Sequence, residues 1–281
     1  MTQTTTKKTV LVLGASGRVA AMLAKVWLEK PSENIIFVRV ARKAGRGVDC
    51  QWAPGDNVAK LPRADAVVAL WGVVPGGGAP VEENIDLARI AQQIGTSCGA
   101  DRVIHASSVA VYTPSDQVLD KSAPCVPRNA YGRAKLQMET AVSKSSPRSV
   151  CLRIANVAGA DGVFSALAGD GPITLDQFAD GTGPRRSYVQ PSTLAQVIET
   201  LVSLPTEHLP QVINVAGKTP VAMQDIVVAA DRPVLWRAAP QEALPVMAVD
   251  VGRLNALVDL GAQSTDAVEL VQEWRKYGGG A

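Results

Sequence analysis

Two side chains four residues apart, Tyr131 and Lys135 in "YGRAK", could move a proton together. On a helix, positions i and i+4 share a face, so a phenol and an ammonium group would project side by side. A neighbouring cation favours the phenolate, which predicts a phenol drawn down from its usual pKa of about 10. Such a phenol gives or takes the proton that accompanies hydride transfer at a carbinol or carbonyl carbon. Taken alone, YxxxK is more often an ordinary amphipathic helix. Upstream, "HASSVAVY" closes an apolar strand, where open parallel sheets present their ligand crevice, and its Ser108 can donate to a substrate oxygen.

A second cluster lies at the start of the chain. In "LGASGRVA", Gly14, Ser16 and Gly17 follow an apolar strand, and Arg18, Val19 and Ala20 open a helical pattern. Glycines there permit a tight turn and let backbone N–H groups approach a pyrophosphate at the positive end of a helix. A plain βα turn with nothing bound is the competing reading. After the second strand, "RVARKAGRG" carries Arg42 and Lys43 and no carboxylate before Asp49. An acidic residue there would select NAD, whereas arginine suits a 2′-phosphate, so NAD(P) binding with a modest preference for NADP is expected. A solvated basic loop is the alternative.

The elements that must position these groups alternate. "KTVLVL", "NIIFVRVAR", "ADAVVALWGVV", "DRVIHASSVAVY" and "SVCLRIANVAG" read as strands, with "VDCQWAP" a candidate short one. Helical spacing lies between them: Val19, Met22, Leu23, Val26 and Trp27 share a face. "EENIDLARIAQQIG" reads as a helix stopped by Gly95, and "NAYGRAKLQMETAVSK" as another. This order predicts an α/β fold with a doubly wound parallel sheet, Rossmann-like, and a small C-terminal substrate-binding part. The expected division is 1–159 plus 188–216 for dinucleotide binding, and 160–187 plus 217–281 for substrate. Residues 160–188 look loop-dominated. Later, "PSTLAQVIETLVSL" reads as a helix, "QVINVAG" as a strand, and "MQDIVVAA" and "DAVELVQEWRKY" as helical pieces.

Composition narrows the function classes. The 281 residues are 47% hydrophobic and carry a formal net charge of +2, which excludes a polyelectrolyte and gives no nucleic-acid footprint. Four cysteines without a CxxC pair and two histidines argue against a metal centre. The longest apolar run, Ala66 to Val74, is too short to span a bilayer, so no membrane partner and a cytoplasmic location with reduced thiols are expected. His105, Trp236 and Trp274 read as packing residues.

Together these segments resemble the extended short-chain dehydrogenase/reductase superfamily, specifically its NAD-dependent epimerase/dehydratase family. "GASGRVA", "ASSVAVY", "YGRAK", "LRIANVAG", "RRSYVQPSTLAQVI" and "VINVAG" match in order over roughly residues 8 to 216. The resemblance implies Ser108, Tyr131 and Lys135 as catalytic residues. Besides Arg42 and Lys43, read above, it implies cofactor contacts from Gly14, Ser16, Gly17, Arg18, Val19, Asp56, Leu70, Trp71, Gly72, Asn84 and Ala155, with Asp56 touching adenine. It implies Asn156 for a small-molecule substrate and a homodimer through the helices that carry Asn84 and Tyr131; Arg186, by its charge, could meet a phosphate or carboxylate on that substrate, though surface arginines are more often solvated. Trp71 stands where the family usually has alanine, Thr113 where it has glycine, and Pro191–Ser192 where it has Val-Asp. Dehydratases of the family carry an Asp-Glu pair where this chain has Val109 and Ala110, so an epimerase or dehydrogenase/reductase is expected. A non-catalytic NAD(P)-binding sensor on the same fold is the alternative.

Overall fold

A computed structural model describes residues 6–278. The first six strands are β1 (Lys8–Leu13), β2 (Ile35–Ala41), β3 (Cys50–Gln51), β4 (Ala66–Ala69), β5 (Arg102–Ser108) and β6 (Arg148–Ile154). Between them run α1 (Arg18–Glu29), α2 (Glu83–Cys98) and α3 (Ala130–Val142). Beyond β6 come β7 (Asn156–Val157), α4 (Gly162–Leu167), β8 (Ile173–Gln177), β9 (Arg185–Arg186), β10 (Tyr188–Val189), α5 (Pro191–Ser203) and β11 (Val212–Val215). The C-terminal stretch holds β12 (Val221–Ala222), α6 (Met223–Ala229), β13 (Val234–Ala238), β14 (Val246–Met247), α7 (Gly252–Asn255) and α8 (Ala267–Glu273).

Seven strands form the central sheet in the order β11-β6-β5-β4-β1-β2-β3, and every pairing in it is parallel. This is a doubly wound, Rossmann-like α/β fold. The order reverses between β1 and β4, so the loops leaving those two strands diverge and open a crevice at the carboxyl edge. Both faces are covered. Trp27 and Val26 of α1 and Leu194 and Ile198 of α5 pack with Val10, Val12 and Val68 on one side. Ala91 and Ile94 of α2 pack with Leu11, Leu13 and Val67 on the other. That double cover is why β4 reads as an unbroken apolar run: all four of its residues are buried. Each fully buried aliphatic side chain contributes about 1.5–3 kcal/mol, so the sheet is a stiff platform for what sits on its edge.

Three expectations need correcting. Gly95 does not stop α2; the helix continues to Cys98 and closes on Gly99, whose φ of +81° is left-handed. Gly95 serves close packing instead, because a Cβ there would lie 2.7 Å from Val103 Cγ2 and 2.8 Å from Pro147 Cγ. The fourth strand ends at Ala69, and Leu70 to Val74 form the crevice loop. The stretch expected to be loop-dominated contains α4 and β8. Asp161 caps α4 by accepting from the Phe164 amide at 3.0 Å, and β8 pairs in parallel with β13 from Ile173↔Val234 onward. That strand partner lies some sixty residues away, so local pattern could not reveal it. Around them Phe164, Leu175, Tyr188, Ile226 and Leu270 form a separate apolar cluster. Among the described residues no helix is long and apolar enough to cross a membrane.

Gly132, inside "YGRAK", lets α3 approach the turn after β5. A Cβ there would sit 2.1 Å from the Ala110 carbonyl oxygen, a backbone atom that cannot step aside. Alanine would gain about 1 kcal/mol in helix propensity and lose more to overpacking, typically about 1–3 kcal/mol. Gly132→Ala is therefore expected to be less stable than the parent in urea unfolding, and a gain in stability would contradict the close approach.

Candidate active site

Lysine is rarely buried, yet Lys135 is only 4% exposed. Asn129 caps α3 by accepting from the Gly132 amide at 2.8 Å, which sets the helix start and brings Tyr131 and Lys135 onto the face toward β5. There Lys135 Nζ donates to the Ala106 carbonyl at 2.9 Å and lies 5.7 Å from the centroid of the Tyr131 ring. Burial draws the ammonium down to about 8, with Cys151 and Glu139 acting the other way.

Ser108 ends β5 and accepts from the Ala110 amide at 3.2 Å. Its side chain lies near enough to the Tyr131 phenol to lower it. Four-residue spacing predicts a phenol pulled down by the lysine, and the structure differs. Burial pushes Tyr131 above its ordinary value and the Ser108 contact only partly offsets that. The reason is geometric: Lys135 is anchored to a strand carbonyl and faces the ring. At neutral pH the phenol thus holds its proton, which makes it an acid as it stands.

The Gly14 turn adjoins this group at the β1/β4 switch. Gly14 has φ +84°, and a Cβ on it would meet Trp71 N and Cα at 2.7 Å. Gly17 is the N-cap of α1 and no side chain caps that helix, so its first-turn amides face outward with the positive end of the helix dipole. Gly72 is the other close approach: a Cβ there would lie 2.8 Å from Asn84 Oδ1 and 3.3 Å from Lys135 Nζ. Asn84, buried on α2, donates to the Val73 and Val81 carbonyls at 2.8 and 2.7 Å and bolts down the loop after β4. A glycine cradle, an uncapped helix start and a buried lysine at one edge fit a dinucleotide.

Other expected contacts are distributed unevenly. Leu70 and Ala155 sit at the ends of β4 and β6, half-buried and buried respectively. Ser16 precedes Gly17 and Val19 lies in the first turn of α1, while the Arg18 guanidinium reaches across to Ser165 Oγ at 2.8 Å. Arg42 and Lys43 are exposed after β2 and form no ion pair among the described residues. Asp49 is held by Arg39 through bonds of 2.8 Å to each carboxylate oxygen, so that carboxylate is occupied. Asp56 is exposed and accepts from the Ala53 amide at 2.9 Å, shaping a turn. Trp52, buried in the same stretch, packs in the core with its ring 6.3 Å from that of Trp71, whose Nε1 is buried without a partner among the described residues. Asn156 and Arg186 line a separate cleft of about 390 Å3 with Asp161, Asp176, Arg237 and Met223. Burial raises Asp161 there, partly offset by the Phe164 amide and the Tyr188 hydroxyl, and lowers Arg186. A wider cleft of about 750 Å3 lies at the amino edge of the sheet, around Asp101, Arg148 and Gln211, away from these groups.

Behind Lys135 is a buried polar layer that motif reading missed. Glu139 and Arg153, each 6% exposed, are paired at 2.8 Å, and Ser107 Oγ donates to Glu139 Oε1 at 2.6 Å. The available signals were a second charge four residues beyond Lys135 and an arginine inside a fully covered strand. His105 Nε2 meets Gln92 Nε2 at 2.9 Å, and burial, aided by Lys135, lowers it to about 3. Among the described residues no group of His, Cys, Asp or Glu is arranged to hold a metal ion.

The neutral His105 makes stability pH-dependent. Its folded pKa lies below the unfolded value near 6.5, so the unfolded chain binds the extra proton as pH falls. Its contribution is complete above about pH 6.5 and is lost progressively as pH falls toward 3. His105→Gln is expected to flatten urea-derived stability between pH 6.5 and 4, against a parent slope of up to about 1 kcal/mol per pH unit from this group. Identical slopes would exclude His105 as the source.

Comparison with known proteins agrees with this geometry. The family model described as "NAD dependent epimerase/dehydratase family" matches residues 10–175. A curated UDP-glucose 4-epimerase from Azospirillum brasilense is 43% identical over 68 residues, a match spanning 22% of this chain and only 20% of that protein. Among solved structures, MoeE5 in complex with UDP-glucose and NAD superposes with a TM-score of 0.76 at 18% identity, covering 95% of this chain and 98% of the other. The UDP-N-acetylglucosamine 4-epimerase from Bacillus cereus gives 0.75 at 15% identity, covering 96% and 100%. TunA, an NAD-dependent NDP-hexosamine 5,6-dehydratase, gives 0.74 at 16% identity, covering 96% and 98%.

Proposed function

This chain belongs to the NAD-dependent epimerase/dehydratase family, and from that premise we propose that it transfers hydride at a carbinol or carbonyl carbon of a sugar, sugar nucleotide or similar small substrate, with Tyr131 as acid and base. The observation that supports this reading is the meeting of Ser108, Tyr131 and Lys135 beside the Gly14 turn. The first-turn amides of α1 would hold the pyrophosphate, and Arg42 and Lys43 a 2′-phosphate, so NADP is preferred. When bound, the nicotinamide accepts or returns the hydride.

The protein groups supply the rest. Tyr131, protonated at rest, donates to the substrate oxygen as a carbonyl is reduced and takes the proton back on oxidation. Ser108 donates to the same oxygen and orients it. Lys135 balances the charge that develops on the phenol. Val109 and Ala110 carry no proton to eliminate water with, so epimerisation or oxidoreduction is the reaction, not dehydration. Residues 160–187 and 217–281 form the substrate-binding part, with Asn156 and Arg186 addressing a phosphate or carboxylate. A homodimer through α2 and α3 would leave both crevices open.

Tyr131→Phe is expected to bind dinucleotide with unchanged affinity and to lose about 10²–10⁴-fold in turnover on a carbonyl and alcohol panel. Full turnover would remove the phenol from the mechanism; no turnover by the parent on any sugar substrate, with dinucleotide bound, would favour a sensor. Native mass spectrometry separates the two enzyme types: retained dinucleotide means an epimerase, exchangeable dinucleotide a dehydrogenase or reductase. Replacing Arg42 and Lys43 together with alanine is expected to weaken NADP binding about 10- to 100-fold and leave NAD binding unchanged in calorimetric titration. Equal losses for both dinucleotides would refute the assigned 2′-phosphate contact.

A further inference from the structure

A buried carboxylate that no motif assigns stands one helical turn beyond Lys135. Glu139 is bonded by two groups, the Arg153 guanidinium through Nη2 at 2.8 Å and Nε at 3.1 and 3.3 Å, and the Ser107 hydroxyl at 2.6 Å. Ser107 is the middle residue of three at the end of β5. Its predecessor Ala106 carries the carbonyl that takes Lys135 Nζ, and its successor Ser108 carries the side chain that lies near the Tyr131 phenol. Successive β5 residues are thus tied to two positions of α3, Ser107 to Glu139 and Ser108 to Tyr131. The clamp joins α3 to β5 and β6 at the level of the acid–base pair.

We propose that Glu139 is a positioning residue for the reaction: through Ser107 it holds the Ala106–Ser108 segment on which Lys135 and Tyr131 are seated, and its carboxylate supplies the balancing negative charge for the Lys135 ammonium. The inference rests on the reading of Tyr131 and Lys135 given above. Geometry carries it, since i and i+4 positions share a helix face and both side chains are buried there.

The charged and titratable groups around Lys135 can be enumerated by element. On α3 they are Tyr131 and Glu139; on β5, His105; on β6, Cys151 and Arg153. Burial pushes the Cys151 thiol up to about 12, so it is neutral at physiological pH, as is His105. Burial works against the Arg153 charge and Glu139 more than restores it, and of that pair it is Glu139 that acts on Lys135. Of the two groups that oppose the burial penalty on the lysine, Cys151 and Glu139, only Glu139 is a carboxylate, and it stands four residues on along the same helix face. Removing it leaves Lys135 with desolvation and an unpaired Arg153, both of which disfavour the ammonium.

The test reads the lysine itself, without substrate or dinucleotide. Protein labelled with 13C at lysine Cε is titrated by NMR, and the Lys135 signal is identified by its loss in Lys135→Met. In Glu139→Gln the Lys135 titration is expected to move down by about one pH unit or more. Glu139→Asp, which keeps the charge, is expected to restore most of that shift. Should Glu139→Gln fail to fold, Glu139→Gln combined with Arg153→Met removes both charges in similar volume, a replacement buried pairs generally tolerate, and a smaller downward shift is then expected because the repulsion from an unpaired Arg153 is gone as well. A Lys135 titration that stays within about 0.3 units in a folded Gln variant overturns the proposal. Tyr131→Phe turnover is measured in parallel. An inactive Tyr131→Phe with an unmoved lysine sinks the Glu139 role alone; an active one sinks the acid–base reading and leaves the lysine titration as an independent result.

Discussion

A positive charge inside a protein is unstable unless something receives it, and the placement of Lys135 imposes that constraint on everything around it. Its ammonium is taken by a strand carbonyl, which requires α3 to lie close against β5. That approach is open only because position 132 has no side chain. The loop after β4 must pass beside the same nitrogen, which requires Gly72, and Asn84 holds that loop in place. The polar layer of Ser107, Glu139 and Arg153 lies directly behind. Glycine, asparagine and carboxylate positions scattered over the chain thus answer to one buried charge.

The same constraint explains why the phenol is kept protonated. The lysine is held by a carbonyl and faces the Tyr131 ring, and burial withholds much of the solvation that would otherwise support a phenolate. On the proposed reading the site would hold a resting acid with a cation beside it, so that position, more than a shifted resting pKa, would prepare the proton transfer. This agrees with the general pattern that preorganised charge costs little reorganisation when the reaction occurs.

Much of this was legible before any coordinates. Strand–helix alternation, the β4 apolar run, the Gly14 turn and the Tyr131–Lys135 spacing each depend on local chemistry, and local chemistry is visible in a chain. What escaped depends on partners distant in sequence. The β8–β13 pairing joins residues 173–177 to 234–238, and no periodicity announces it. Gly95 was misjudged because its missing side chain answers to Val103 and Pro147 and not to the end of its own helix. Glu139 and Arg153 are intermediate: their spacing and their setting in apolar segments were readable, but their joint purpose required knowing that α3 packs over β5 and β6.

The close contact between Gly14 and Trp71 has a bearing on laboratory evolution. The atoms that would collide with a side chain at position 14 include the main-chain nitrogen and Cα of residue 71, which every amino acid possesses. No exchange at 71 can therefore make room for a larger residue at 14, whereas the indole itself, which the family replaces with alanine, is open to change. A randomised library spanning both positions would retain glycine at the first and diversify at the second, and the pocket's evolvability resides in the aromatic wall and not in the turn.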